Sequence, residues 1–155
     1  MDIEKQKILR EYSWNYFSQH AEQRLKTFNF YIVFCAVVIG GYVTIVSRGI
    51  LSIEHIVLPL LLTFFSFVFW KLDQRTRMLI TNGQDAVKYL DSILLADEPN
   101  DSQVLALFEC DEKKCQDLSK YPLTSGHFSY QRVFNWVFGA MFFVGVAGCI
   151  ACVLA

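Results

Sequence analysis

FNFYIVFCAVVIGGYVTIV, Phe28 to Val46, is a run of 19 residues without a charge, closed off by Lys26 before it and Arg48 after it. At about 1.5 Å of rise per residue it makes a helix of roughly 28 Å, close to the hydrocarbon thickness of a bilayer. Two further blocks repeat the pattern. Val133 to Ala155 is 23 uncharged residues, long enough to span with some tilt. Ile56 to Trp70 is only 15, short for a span, yet it is apolar all round (VLPLLLTFFSFVFW), which a half-exposed helix cannot be. Eleven of the 14 Phe fall in these three blocks. The expected fold class is all-α: a helical membrane protein with three transmembrane helices and long amphipathic cytoplasmic helical extensions.

The rest of the composition agrees. Of 155 residues, 54% are hydrophobic, 15% aromatic and 19% charged, and mean hydropathy is +0.31. Disorder and low-complexity structure are excluded by that balance. Net charge is −1, so no bulk basic charge points to nucleic acid, and direct nucleic-acid binding is not expected. Residues 1–27 carry nine charges, and the apolar run that follows is too late and too long for a cleaved signal peptide.

Charge asymmetry sets an expected orientation. Lys5, Lys7, Arg10, Arg24 and Lys26 precede the first block, eight Lys and Arg lie in 71–132, and the 47–55 loop has only Arg48. The positive-inside rule then places 1–27 and 71–132 in the cytoplasm, with the C-terminus on the opposite side of the inner membrane. Trp70 beside Lys71, and Trp136 one turn after Arg132, fit an aromatic belt at the cytoplasmic face. The domain expectation is a single membrane domain over 1–155: cytoplasmic helix 1–27, spans 28–46, 56–70 and 133–155, and a cytoplasmic helical region 71–132.

No Pro or Gly interrupts Asp2 to Ile39, and Ile8, Trp14, Phe17, Ala21, Leu25 and Phe28 recur at helical spacing. One helix is therefore expected from about Ile3 to Val46. Leu72, Leu79, Gly83, Val87, Leu90 and Leu94 carry the second span onward as a helix until Asp97-Glu98-Pro99-Asn100 ends it. A shorter helix is expected over about Asp101–Ser119, with Val104, Phe108, Cys115 and Leu118 on its apolar face, and a turn over Tyr121–Gly126. Extensions this small have a thin core. Packing on further copies is the simplest remedy, so a homo-oligomer is expected.

Chemistry-bearing motifs are few. Cys149-x-x-Cys152 has redox or metal spacing but lies in an apolar span with no His or acid nearby, and reads as small residues on a packing helix. Cys110 and Cys115 lack the further ligands a zinc site needs. The acids among the Lys and Arg of 71–132 read as a solvated face, with Glu109 and Lys113 an i,i+4 pair. No G-x-S-x-G, Walker or H-E-x-x-H pattern occurs. No enzyme, cofactor or metal is expected. None of the three blocks holds Asp, Glu, Lys, Arg or His, which argues against a pump or secondary transporter.

Small residues are abundant instead. Ala36-x-x-x-Gly40 in the first block, and Gly145 and Gly148 in the third, are candidates for helix packing, within the chain or between copies. Pro59 marks a kink or weak first turn in the second block. Tyr16, His20 and Arg24 share one helix face, and Lys71, Arg75 and Arg77 follow the second block. Such groups orient a chain, and they also offer sites for an anionic ligand or lipid headgroups.

Two stretches carry a resemblance: YFSQHAEQRL (16–25) running into Phe28-Asn29-Phe30, and FWKLDQR (69–75). A helix of the form H-A-x-Q-R-x-x-x-F-N-F entering a span, and a second span ending F-W-x-L-D-x-R, are similar to small membrane proteins of bacterial antiphage operons. They resemble the transmembrane effectors paired with retrons and with nucleotide-signalling modules, over about residues 14–95. The third block departs from the two-span pattern of such effectors. The resemblance implies an effector that permeabilises or depolarises the inner membrane when a cytoplasmic sensor fires. It makes Tyr16, His20, Arg24, Asn29, Asp73 and Arg75 the motif positions, read here as a polar clasp between helices with Arg24 paired to Asp73. The implied partners are the bilayer, further copies of the chain, and a cytoplasmic sensor protein or anionic ligand. A structural protein that anchors or recruits a cytoplasmic partner fits the same features.

Overall fold

The computed structural model describes residues 3–49, 52–94 and 130–154. The expected helix over Asp101–Ser119, the turn after it, and Cys110 and Cys115 lie outside the described residues. Among the described residues there is no strand: the elements are α1 (Ile3–Ser47), a short 3₁₀ turn (Ile53–Ile56), α2 (Val57–Leu94) and α3 (Tyr130–Leu154). All three α-helices are long and apolar enough to cross a membrane.

The helix bounds follow from the residues. α1 runs unbroken through Gly40-Gly41, where Thr44 Oγ1 donates to the Gly40 carbonyl at 2.8 Å and Ser47 Oγ to that of Val43 at 2.8 Å. Hydroxyls in an apolar stretch are satisfied this way by the preceding turn. The last turn tightens through Arg48 N to Ile45 O and Gly49 N to Val46 O. Gly49 then takes φ 67°, the left-handed cap that glycine adopts without a Cβ penalty. Pro59 falls in the first turn of α2, where its missing N–H has no helical partner to lose.

The chain divides into two compact units, described in turn. The first contains residues 3–23 of α1 and 76–94 of α2. As numbering rises in α1 it falls in α2, so the two run antiparallel: Phe17 meets Gly83, and Arg10 meets Asp91. A Cβ on Gly83 would stand 3.1 Å from Phe17 Cα, so glycine permits this close approach. Val87 and Leu90 are buried, and the Arg10 guanidinium donates through Nε to Asp91 Oδ1. On the outside, Ile8, Tyr12, Met78 and Tyr89 are exposed.

The second unit contains residues 24–49, 52–75 and 130–154 and forms an up-down-up arrangement of three helices. α1 is antiparallel to α2 (Arg24 with Asp73, Tyr31 with Ser66) and parallel to α3 (Phe28 with Phe134, Tyr42 with Gly148). Tyr31, Cys35 and Val38 from α1, Leu62 and Phe69 from α2, and Phe134 and Phe138 from α3 make the core. The inward faces are narrow stripes at three- and four-residue spacing. Large apolar side chains point outward on the rest of each helix: Trp136 is 75% exposed, Phe143 71% and Val37 71%.

The units divide at Gln23/Arg24 and Arg75/Thr76 rather than at the ends of the apolar blocks. The physical reason is that the pair Arg24–Asp73 closes onto the core of the second unit and extends it beyond the uncharged residues.

Candidate functional site

The polar groups expected to form a clasp separate into two sets. In the first unit, Tyr16 and His20 touch edge to face with ring centroids 4.4 Å apart, and His20 Nδ1 lies 3.3 Å from Gln23 Oε1. In the second unit, Arg24 and Asp73 form a two-pronged pair: Nε donates to Oδ1 at 2.6 Å and Nη2 to Oδ2 at 3.0 Å. Asn29 and Arg75 are exposed and stand outside it.

The Arg24–Asp73 pair is built by three helices. α1 supplies Arg24 and, one turn later, Phe28; α2 supplies Asp73 one turn after Phe69; α3 supplies Phe134. The Phe28 and Phe134 rings stack at 3.7 Å and 3°, and the Arg24 guanidinium sits 4.8 Å from the Phe134 centroid. The Arg24 side chain is 14% exposed and that of Asp73 6%. A charge pair so little exposed persists because the geometry is two-pronged and the ring face accepts the remaining positive charge.

Deeper in the same unit lie hydrogen bonds between helices that a search for charged residues does not reveal. Tyr31 Oη and Ser66 Oγ are 2.8 Å apart and fully enclosed, with Ser66 also reaching the Leu62 carbonyl at 2.6 Å. Tyr42 Oη donates to the Gly148 carbonyl at 3.2 Å and lies 3.8 Å from Cys152 Sγ. The available sequence signal was a Tyr at a core position of one apolar block and a Ser amid the Phe run of another.

The small residues also divide. Gly145 and Gly148 of α3 pack directly on α2: a Cβ on Gly145 would stand 2.8 Å from Thr63 N and 2.9 Å from Pro59 O, and one on Gly148 2.8 Å from Pro59 Cβ. Their close approach serves contacts inside one chain. Ala36 is exposed, and nothing lies within 4 Å of the place a Gly40 Cβ would occupy. Cys35 and Cys152 are buried and Cys149 half-buried, all as free thiols. Among the described residues no three His, Cys, Asp or Glu side chains gather as a metal site.

Two neighbouring grooves open along α3. One, of about 390 Å³, lies against α2 and is lined by Ser66, Phe67, Trp70 and Phe142 among others. The other, of about 430 Å³, is bordered by Arg132, Trp136 and Phe143. Asn135 and Gly139 border both.

Over 82 residues the chain is 39% identical to CD-NTase-associated protein 19 of Escherichia coli. The match covers 52% of this chain and 54% of that protein, so the chain spans about half the length of the curated relative it matches. No family model matches. No solved structure matches.

Proposed function

We propose that the chain is a three-span protein of the bacterial inner membrane that serves antiphage defence associated with a CD-NTase (the CBASS type). It acts by permeabilising or depolarising that membrane when a cytoplasmic partner responds to infection. The observation that carries the membrane part is the outward face of the second unit, where Val37, Phe64, Phe143 and Leu154 are exposed on three helices of spanning length. In water such a surface would associate; in hydrocarbon it is matched. The likeness to CD-NTase-associated protein 19 supports the link to defence. The N-terminus is cytoplasmic on the positive-inside argument.

The same structure constrains how permeation would work. The interior of the second unit is filled by Tyr31, Ser66, Leu62 and Phe138, and its buried side-chain polar atoms have hydrogen-bond partners. A path through one chain would have to break these contacts. A path between copies would not, so the active form is an oligomer.

The test is membrane potential in a bacterial host, read with a voltage-sensitive dye after induction of the chain with its operon partners, with and without phage. Rapid loss of potential on challenge is the expected result. An unchanged potential overturns the effector reading. The second reading, an anchoring protein, draws on the exposed Ile8, Tyr12, Met78 and Tyr89 of the first unit, an apolar surface suited to a cytoplasmic partner. It gains if the potential holds while a partner remains bound through detergent extraction.

A further inference from the structure

The groove between α2 and α3 has the chemistry of a lipid site. We infer that it holds an acyl chain of an anionic phospholipid, with the phosphate met by Lys71 and Arg132. This rests on the membrane reading above. Volumes of about 390 and 430 Å³ lie within the range of ligand pockets. The first groove is walled by aromatic rings, Phe67, Trp70, Phe138 and Phe142, and floored by Gly139. No heavy atom of a neighbouring residue lies within 4 Å of where a Gly139 Cβ would be, so the floor is open. A flexible hydrocarbon chain suits a narrow apolar slot with an open floor.

The charge at one end decides which lipid. The Lys71 ammonium lies 4.7 Å from the Trp70 ring centroid and 5.9 Å from that of Phe67, two of the walls. Arg132 borders the adjoining groove at the corresponding end of α3. Neither cation has an acidic partner among the described residues, and Asp73, the nearest acid in sequence to Lys71, is taken by Arg24. Asn135, one turn after Arg132, borders both grooves, its side-chain amide without a hydrogen-bond partner among the described residues. Two cations and an amide without acidic or hydrogen-bond partners among the described residues, at the tryptophan level, complement a phosphate that carries net negative charge. Basic pockets between membrane helices on the cytoplasmic side take anionic headgroups for this reason. A zwitterionic lipid with the same tails gives the groove its hydrocarbon but leaves the two cations without a net counter-charge.

The experiment uses the purified full chain loaded with dioleoyl phosphatidylglycerol or dioleoyl phosphatidylethanolamine and read by native mass spectrometry. The expected result is preferential retention of phosphatidylglycerol, falling about fivefold for each of Lys71→Gln and Arg132→Gln. A Cβ at Gly139 meets nothing within 4 Å, so Gly139→Leu directs a side chain into the groove and should displace the lipid without lowering the unfolding midpoint. Equal retention of the two lipids overturns the proposal, as does retention that none of the three variants alters. A dimer peak that Gly139→Leu abolishes, with lipid unaffected, assigns the groove to a second copy instead. Resistance to alkaline carbonate extraction, measured on host membranes before the chain is purified, separates the two readings. A chain released by carbonate overturns the membrane reading, whereas an embedded chain indifferent to lipid charge overturns only the lipid site.

Discussion

Gly145→Ala is the sharpest probe of the α2–α3 contact. A Cβ there would fall 2.3 Å from Thr63 Oγ1, 2.8 Å from Thr63 N and 2.9 Å from Pro59 O. The hydroxyl can rotate aside, at the expense of its 2.9 Å bond to the Pro59 carbonyl, but the two backbone atoms cannot. Reaching ordinary contact requires the helices to part by about half an ångström, an overpacking strain of about 1–3 kcal/mol. The same movement weakens the bond from Tyr42 to the Gly148 carbonyl, about 0.6 kcal/mol for a hydrogen bond between membrane helices. Alanine returns about 0.5–1 kcal/mol in helix propensity. The net loss is about 2 kcal/mol, roughly thirtyfold in the folding equilibrium. The assay is equilibrium unfolding of the purified chain by SDS titration in mild-detergent micelles, followed by tryptophan fluorescence. Gly40→Ala is the comparison, since nothing lies within 4 Å of that site. Its midpoint should match or exceed wild type. Equal midpoints for the two variants would refute the packing argument. A loss confined to Gly40→Ala would place the close approach between copies rather than inside one chain.

Breaking the enclosed ion pair by Arg24→Leu or Asp73→Leu should cost about 3–5 kcal/mol each, because either change leaves one charge buried alone, and the double variant should cost well below the sum. The same titration checks this, and additive losses would show that the pair is not coupled. In the first unit, Gly83→Leu should force residues 3–23 and 76–94 apart at Phe17, with a loss of about 1–3 kcal/mol. Hydrogen exchange should then rise in those segments and stay at the wild-type level in 130–154; unchanged protection around Phe17 would count against the contact.

Periodicity and run length carried most of the architecture. The unbroken α1 was legible because no Pro or Gly precedes Gly40, and α2 because the stripe of Leu79, Gly83, Val87 and Leu90 keeps one helical phase past the end of the apolar block. Arg24 and Asp73 were legible only through the resemblance, which made them motif positions read as a polar clasp; the structure brings these two together as an ion pair. What a single sequence does not carry is rotation about each helix axis. Gly145 and Gly40 look alike in a string of letters, yet one faces Thr63 and the other faces away from the chain. Tyr31 and Ser66 are hidden in the sequence for a related reason: uncharged polar residues do not interrupt an apolar run, and only the register between α1 and α2 brings their hydroxyls together.

The outward face of α3 bears on how the protein can be made. Trp136, Phe143, Ile150 and Leu154 present a continuous oily strip that no other part of the described chain covers. From the moment this helix leaves the ribosome it must meet a translocon, a chaperone or another chain, since water offers it only aggregation. A soluble reserve held in the cytosol and released on demand is therefore not an economical way to keep such a molecule. On the membrane reading proposed above, its abundance would be set during synthesis and insertion, and any restraint on the proposed activity would act on copies already in place.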